Sequence, residues 1–186
     1  MPRLFTAIEL PKEIGLGLAS LRGGLPGARW VDPENYHLTL RFIGDVDDAV
    51  ARDIMQVLGK VARRVFQLMF DGLGQFGGRK PRAVFATAKA TVPLMELQAE
   101  HERLMQRIGL APESRKYTPH VTLARLRDSS TREVADYLST RSGYRSPPFP
   151  VTRFVVFSSR GSVGGGPYVV EAAYPLINEE VTRMLV

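Results

Sequence analysis

Apolar positions along this chain keep two rhythms, the alternation of strands and the three-to-four spacing of helices, and together they predict an interleaved set of elements. Residues 4–10 are dense enough in apolar side chains for a buried strand. Pro11 then opens a helix in which Ile14, Leu18 and Leu21 recur at helical spacing up to Gly23-Gly24. Trp30-Val31 and a loop at 32–35 deliver the chain into a strand over 36–43. Asp45 or Asp47 is placed to cap the next helix, whose Val50, Ile54, Val57, Leu58 and Val61 form one stripe. A short strand is predicted at 65–70, followed by a glycine- and base-rich connection at 71–81 that reads as a mobile hairpin loop, and a returning strand at 82–90. Pro93 opens a helix with Leu94, Leu97, Leu104 and Ile108 inward, stopped by Gly109. His101 stands there among Glu100, Glu102 and Arg103 and reads as a solvated surface residue without a chemical role. Tyr117-Thr118-Pro119 leads into a second His strand that runs through Leu126, and Ser130-Thr131-Arg132-Glu133 has the form of a capping box for a helix carrying Val134 and Leu138. The chain closes with a Pro-rich turn at 146–150, a strand at 151–157, a flexible glycine-rich loop at 158–167 and a returning strand at 168–176.

Within this pattern one unit occurs twice. His37-Leu38-Thr39-Leu40 returns as His120-Val121-Thr122-Leu123, 83 positions later and again on strand-like ground. Alternate side chains of a strand share a face, so each His travels with the Thr two residues on. Only three histidines occur in the 186 residues, and two of them stand here. The plainer reading is two ordinary strands with a polar face; the matched pair favours a shared site. Each half repeats the order His strand, turn, capped helix, further strand or hairpin, at a spacing too long for a solenoid repeat. The expected fold is therefore α+β and bilobal: two pseudo-symmetric, mostly antiparallel sheets with helices packed outside and a central cleft. Residues 1–186 are expected to form a single domain of two lobes.

Composition narrows the setting. Apolar residues make up 44% and charged residues 24% of the chain, as in an ordinary globular protein. With no cysteine, disulfides and thiolate metal sites are excluded. Glu9 comes too early for the apolar core of a signal peptide and no run reaches membrane-spanning length, so a cytoplasmic location, away from membranes, is expected. The net charge of +6 favours polyanionic partners. Basic residues cluster at Arg79, Lys80 and Arg82, at Arg115 and Lys116, and at Arg125 and Arg127, next to the motifs.

Two imidazoles can share acid and base work near neutral pH, one neutral and one charged. In-line displacement at phosphorus puts nucleophile and leaving oxygen on opposite sides, which suits two equivalent strands facing each other. Each Thr hydroxyl can donate to a nonbridging oxygen as charge builds there. Metal ligation is the rival use of two histidines, but neither motif carries the spaced carboxylate or second His of a zinc site. A noncatalytic nucleotide or RNA binder is the other alternative, although binding alone needs no matched acid and base.

The paired His-x-Thr-x motifs resemble the signature of the 2H phosphoesterase superfamily. Their flanks, Asn35-Tyr36-His37-Leu38-Thr39-Leu40-Arg41-Phe42-Ile43-Gly44, Pro119-His120-Val121-Thr122-Leu123-Ala124-Arg125 and Gly166-Pro167-Tyr168, are similar to the bacterial and archaeal RNA 2′,3′-cyclic phosphodiesterases, formerly called 2′-5′ RNA ligases. The resemblance implies hydrolysis of terminal 2′,3′-cyclic phosphates to 2′-phosphates without cofactor or metal, with reverse 2′-5′ ligation available at the same site. It makes His37 the proton donor to the departing 3′ oxygen and His120 the proton acceptor, with Thr39, Thr122 and Arg125 holding the phosphate. The near-symmetric motifs do not themselves separate donor from acceptor. Implied partners are RNAs with cyclic ends, such as tRNA fragments, or cyclic nucleotides; a monomer is expected. Tyr168, beside the glycine-rich loop, is the preferred nucleoside contact, with Phe42 and Phe76 as further aromatic candidates and Arg79, Lys80 and Lys116 as candidates for the upstream backbone. Strict alternation conflicts with part of this set. It puts Arg41 on the face of His37, Phe42 on the core face and Arg125 opposite His120, so either the strand bulges or ends near Ala124, or Arg125 stands off the phosphate.

Overall fold

The computed structural model describes residues 3–159 and 166–179. The first sheet has the order β10-β9-β1-β3, made of Val169–Pro175, Arg153–Ser158, Arg3–Glu9 and His37–Asp45. The second has the order β2-β7-β6-β5, made of Ala28–Trp30, His120–Leu126, Ala83–Ala88 and Phe70–Phe76. Neighbouring strands in both run antiparallel. A separate two-stranded ribbon pairs β4, Phe66–Leu68, with β8, Phe149–Val151. Among the described residues there are four α-helices: α1, Lys12–Ala19; α2, Asp48–Leu58; α3, Val92–Arg107; and α4, Thr131–Ser139. The antiparallel α+β architecture with two comparable sheets is the expected one.

Local sequence explains where the helices begin. Asp47, not Asp45, caps α2, its carboxylate accepting from the Val50 amide at 2.8 Å. The capping box of α4 is complete: the Glu133 amide donates to Ser130 Oγ at 3.1 Å and the Ser130 amide to Glu133 Oε2 at 2.8 Å. Helix α3 packs on β3 and against α2. Leu38 and Leu40 of β3, Leu94 and Leu97 of α3 and Ile54 and Leu58 of α2 are all buried in one core. Each such side chain stabilises the fold by about 2 kcal/mol relative to exposure. A smaller apolar cluster, Phe5, Ala7 and Val155 with Phe157 and Tyr168, lies on the other face of the first sheet.

Three expectations change. His101 is fully buried, not solvated: its Nδ1 pairs with Thr6 Oγ1 at 2.8 Å and its ring packs edge-on against Phe154 at 4.5 Å. The segment 71–81 is strand as far as Phe76, with only the tip left as a turn. Gly74 makes this possible, because a Cβ there would fall 2.7 Å from the Phe85 ring on the neighbouring strand. The strands predicted at 65–70 and 151–157 each divide, giving up their first part to the β4–β8 ribbon. Most of the loop expected at 158–167 lies outside the described residues.

Candidate active site

The two motifs occupy β3 and β7, which approach each other between the sheets. In each strand burial alternates as expected over the first four residues and then breaks. Leu40 and Arg41 are both buried, as are Leu123 and Ala124. Pairing with the neighbouring strand shows why. Ala7 faces Thr39 while Thr6 faces Arg41, and Phe85 faces Thr122 while Val84 faces Ala124, so Leu40 and Leu123 are the extra residues of two equivalent bulges. One extra residue inverts the parity beyond it. Phe42 and Arg125, which stand 83 positions apart like the histidines, are thereby turned onto the His face.

This corrects the parity reading. Phe42 is 52% exposed on the cleft face, not in the core. Arg41 leaves the His37 face and is buried behind the strand, paired with Glu102 and donating to the carbonyls of Phe42 and of Ala111, the latter at 2.6 Å. Arg125 joins the motif residues: a cavity of about 90 Å³ is lined by His37, Thr39, His120, Thr122, Arg125, Phe42, Tyr168, Phe5, Asn35 and Val31. Seven of the residues singled out for the site meet there, while Phe76, Arg79, Lys80 and Lys116 do not line it. It opens alongside a larger groove of about 630 Å³ that shares Thr39, Phe42, His120, Thr122 and Arg125.

The two imidazoles are held alike. Nδ1 of His37 lies 2.9 Å from the Asn35 carbonyl and Nδ1 of His120 lies 2.6 Å from the Thr118 carbonyl, in each case the residue two before. A carbonyl only accepts, so Nδ1 carries the hydrogen in both rings and Nε2 is the atom left for chemistry. Each ring also packs among aromatics, with Phe157 at 5.9 Å an additional neighbour of His37. His37 packs on Phe5 at 5.0 Å and edge-on to Tyr168 at 5.0 Å; His120 packs on Phe85 at 5.0 Å and edge-on to Phe76 at 4.9 Å. Gly166, at φ +91°, brings the Tyr168 segment so close to Asn35 that a Cβ would fall 2.4 Å from the Asn35 side chain. Tyr117 donates its hydroxyl to the Thr39 carbonyl at 2.8 Å, tying the approach to β7 onto β3.

Electrostatics favour neutral rings. Burial pushes the His37 pKa down to about 4; the Asn35 hydrogen bond opposes this, and the charges of His120 and Arg125 add to it. Burial also lowers the His120 pKa, against the Thr118 hydrogen bond. Among the described residues no three His, Asp or Glu side chains gather as a metal cluster, and no helix is long and apolar enough to cross a membrane.

The LigT-like phosphoesterase family model matches residues 8–86 and again residues 84–168, one match for each His motif. The chain belongs to the LigT-like phosphoesterase family. Among its relatives in that family is the RNA 2′,3′-cyclic phosphodiesterase of Aeropyrum pernix, 37% identical over 106 residues, which are 56% of this chain and 60% of that protein, so the chain spans under two thirds of it. The RNA 2′,3′-cyclic phosphodiesterase of Aquifex aeolicus is 30% identical over 155 residues, 78% of this chain and 81% of that one. The crystal structure of E. coli LigT complexed with 3′-AMP is 27% identical, with a TM-score of 0.74 over 96% of this chain and 100% of that one.

Asn35, Thr118, Phe5 and Phe85, which support the histidines, are absent from the sequence-based set. The first two share the offset of 83 with the motifs and were recognisable on that ground. Phe5 and Phe85 come from neighbouring strands, which only the pairing reveals.

Proposed function

We propose that this LigT-like phosphoesterase is an RNA 2′,3′-cyclic phosphodiesterase that opens terminal cyclic phosphates to 2′-phosphates by metal-free catalysis with two histidines. A water oxygen attacks phosphorus while its proton passes to Nε2 of His120. The P–O3′ bond breaks on the opposite side, and the departing O3′ takes a proton from Nε2 of His37. Thr39, Thr122 and Arg125 donate to the nonbridging oxygens, whose charge rises as the fifth bond forms. The observation that carries this reading is the pair of identically anchored imidazoles lining one cavity with both threonines and Arg125.

The depressed His37 pKa bears on its role. A donor must be charged, yet burial, His120 and Arg125 hold this ring neutral. A phosphate anion brought beside it supplies the opposite charge and raises its pKa, so substrate binding charges the donor. Reversal of the same steps, with a 5′-hydroxyl in place of water, forms a 2′-5′ linkage; abundant water favours hydrolysis. The test is incubation of EDTA-treated protein with a short RNA bearing a 2′,3′-cyclic end. A 2′-phosphate product is expected; bound but unaltered RNA identifies a noncatalytic binder and overturns the proposal.

A further inference from the structure

Among the described residues β3 is an edge strand of the first sheet and β7 lies inside the second, and no ladder joins them. Their separation therefore rests on packing and on side chains that cross between them. Two such hydrogen bonds run from one motif strand to the lead-in of the other. The Tyr117 hydroxyl donates to the Thr39 carbonyl at 2.8 Å, and the Arg41 guanidinium donates to the Ala111 carbonyl at 2.6 Å. The first lies nearer the chemistry. Tyr117 stands three residues before His120 and next to Thr118, whose carbonyl fixes the His120 ring. Its acceptor belongs to a motif threonine, two residues after His37 and next to Leu40, the extra residue of the bulge. One hydrogen bond thus spans both motifs. The repeat sets this tie apart. Asn35 and Thr118, His37 and His120, Thr39 and Thr122, and Leu40 and Leu123 hold equivalent places at the offset of 83. At the place of Tyr117 the first copy has exposed Glu34, and at the place of Arg41 the second has Ala124. Both crossing ties come from residues at which the two copies differ. The Tyr117 ring packs against the main core, which leaves its hydroxyl little freedom to follow another partner. Burial pushes the phenol well above the ordinary tyrosine range, so it stays a protonated donor at every pH at which the imidazoles titrate.

We infer that Tyr117 is a positioning residue that fixes the distance between the two imidazoles, so that both reach one phosphorus from opposite sides at once. The inference rests on the cyclic phosphodiesterase reading above and deepens it. In-line attack needs His120 at the water and His37 at O3′ in the same instant. A wider gap leaves either ring able to act, but not both together. Each ring keeps its own carbonyl anchor, so the tie governs their spacing and not their proton affinity. A misplacement of about 1 Å can cost about a hundredfold in rate, so a slip of about half that size corresponds to about tenfold.

The experiment uses Tyr117→Phe, which keeps the ring and removes the hydroxyl. On a short RNA with a 2′,3′-cyclic end, this variant is expected to lower kcat about tenfold with KM within about twofold of native. The pH profile should keep both limbs of its bell in place; a lost limb would make the phenol a proton carrier and overturn the positioning role. In a His120→Ala background no second ring has to be held in step, so the same change should cost less than about twofold. A cost there equal to that in the native background would overturn the inference. Binding is read without turnover by inorganic phosphate and by a uridine–vanadate mixture, in which five-coordinate vanadium mimics the in-line arrangement. Tyr117→Phe should weaken uridine–vanadate about tenfold and phosphate less than about twofold. Native kcat together with native uridine–vanadate affinity in Tyr117→Phe would overturn the tie and leave the reaction intact. Absence of turnover by the native protein, with uridine–vanadate still weakened by the substitution, would overturn the reaction and support the tie.

Discussion

Replacing Glu102 should cost the protein more than replacing its partner Arg41, and the difference follows from what each leaves behind. The Arg41 side chain is 7% exposed and that of Glu102 is 18% exposed. Without Glu102 the guanidinium stays buried with only the carbonyls of Phe42 and Ala111, an uncompensated charge worth about 3 kcal/mol of lost stability. Without Arg41 the carboxylate keeps the Gln106 amide at 2.8 Å and the Glu113 amide at 3.0 Å, and it reaches water more easily. Burial pushes the Glu102 carboxyl pKa up, but these hydrogen bonds and Arg41 outweigh it and hold the pKa below the usual carboxylate range. Arg41→Met should therefore cost only about 1–2 kcal/mol, for carbonyls left without donors. The double variant Arg41→Met, Glu102→Leu should be no worse than Arg41→Met alone, since an apolar pair can replace a buried ion pair. Urea denaturation of the two single variants and the double variant measures all three. Glu102→Leu should also raise KM for a cyclic-ended RNA more than it lowers kcat, because Glu102 holds the Glu113 amide and, through Arg41, the Ala111 carbonyl of a segment that lines the groove beside the site. Equal single costs, or a double cost equal to their sum, would refute the reasoning.

Two further outcomes follow from buried groups outside the chemistry. His101 has its pKa lowered to about 3, first by burial and then by Arg63, so the unfolded chain binds the extra proton between that value and 6.5. Its contribution to stability is complete above pH 6.5 and is lost as the pH falls, by about 3 kcal/mol between pH 7 and 4; His101→Gln should flatten that limb of a stability-against-pH curve, and an unchanged limb would contradict it. Gly74→Ala pushes a methyl group into the Phe85 ring beneath His120, so it should cost about 1–3 kcal/mol in chemical denaturation and reduce kcat about tenfold; wild-type values for both would contradict this packing.

Much of the architecture was legible because local signals and burial agreed: the stripe of α2, the capping box at Ser130 and the two His-Thr strands appear where the pattern puts them. The failures have definite causes. His101 lies four residues after Leu97 and three before Leu104, on the buried stripe, yet its charged neighbours suggested solvent. Strand β5 was hidden because Gly72 and Gly74 weaken any strand signal, while Gly74 is needed to admit an aromatic ring from the next strand. The parity of Phe42 and Arg125 could not come from alternation, since a bulge is a property of pairing with a second strand. Their common offset with the histidines was the available clue, because a duplicated motif carries its bulge in both copies.

The most direct measurement is the pH dependence of kcat/KM on a cyclic-ended RNA for the native protein, His37→Ala and His120→Ala. The native profile should be a bell centred below pH 6.5, because burial lowers both imidazole pKa values, with the kcat bell displaced to higher pH by the bound phosphate. His37→Ala, left with the acceptor alone, should lose at least a hundredfold in rate and retain only a rise with pH. His120→Ala, left with the donor alone, should lose as much and retain only a fall. An intact bell, or a rate within tenfold of native, in either variant would contradict a reaction shared between these two rings.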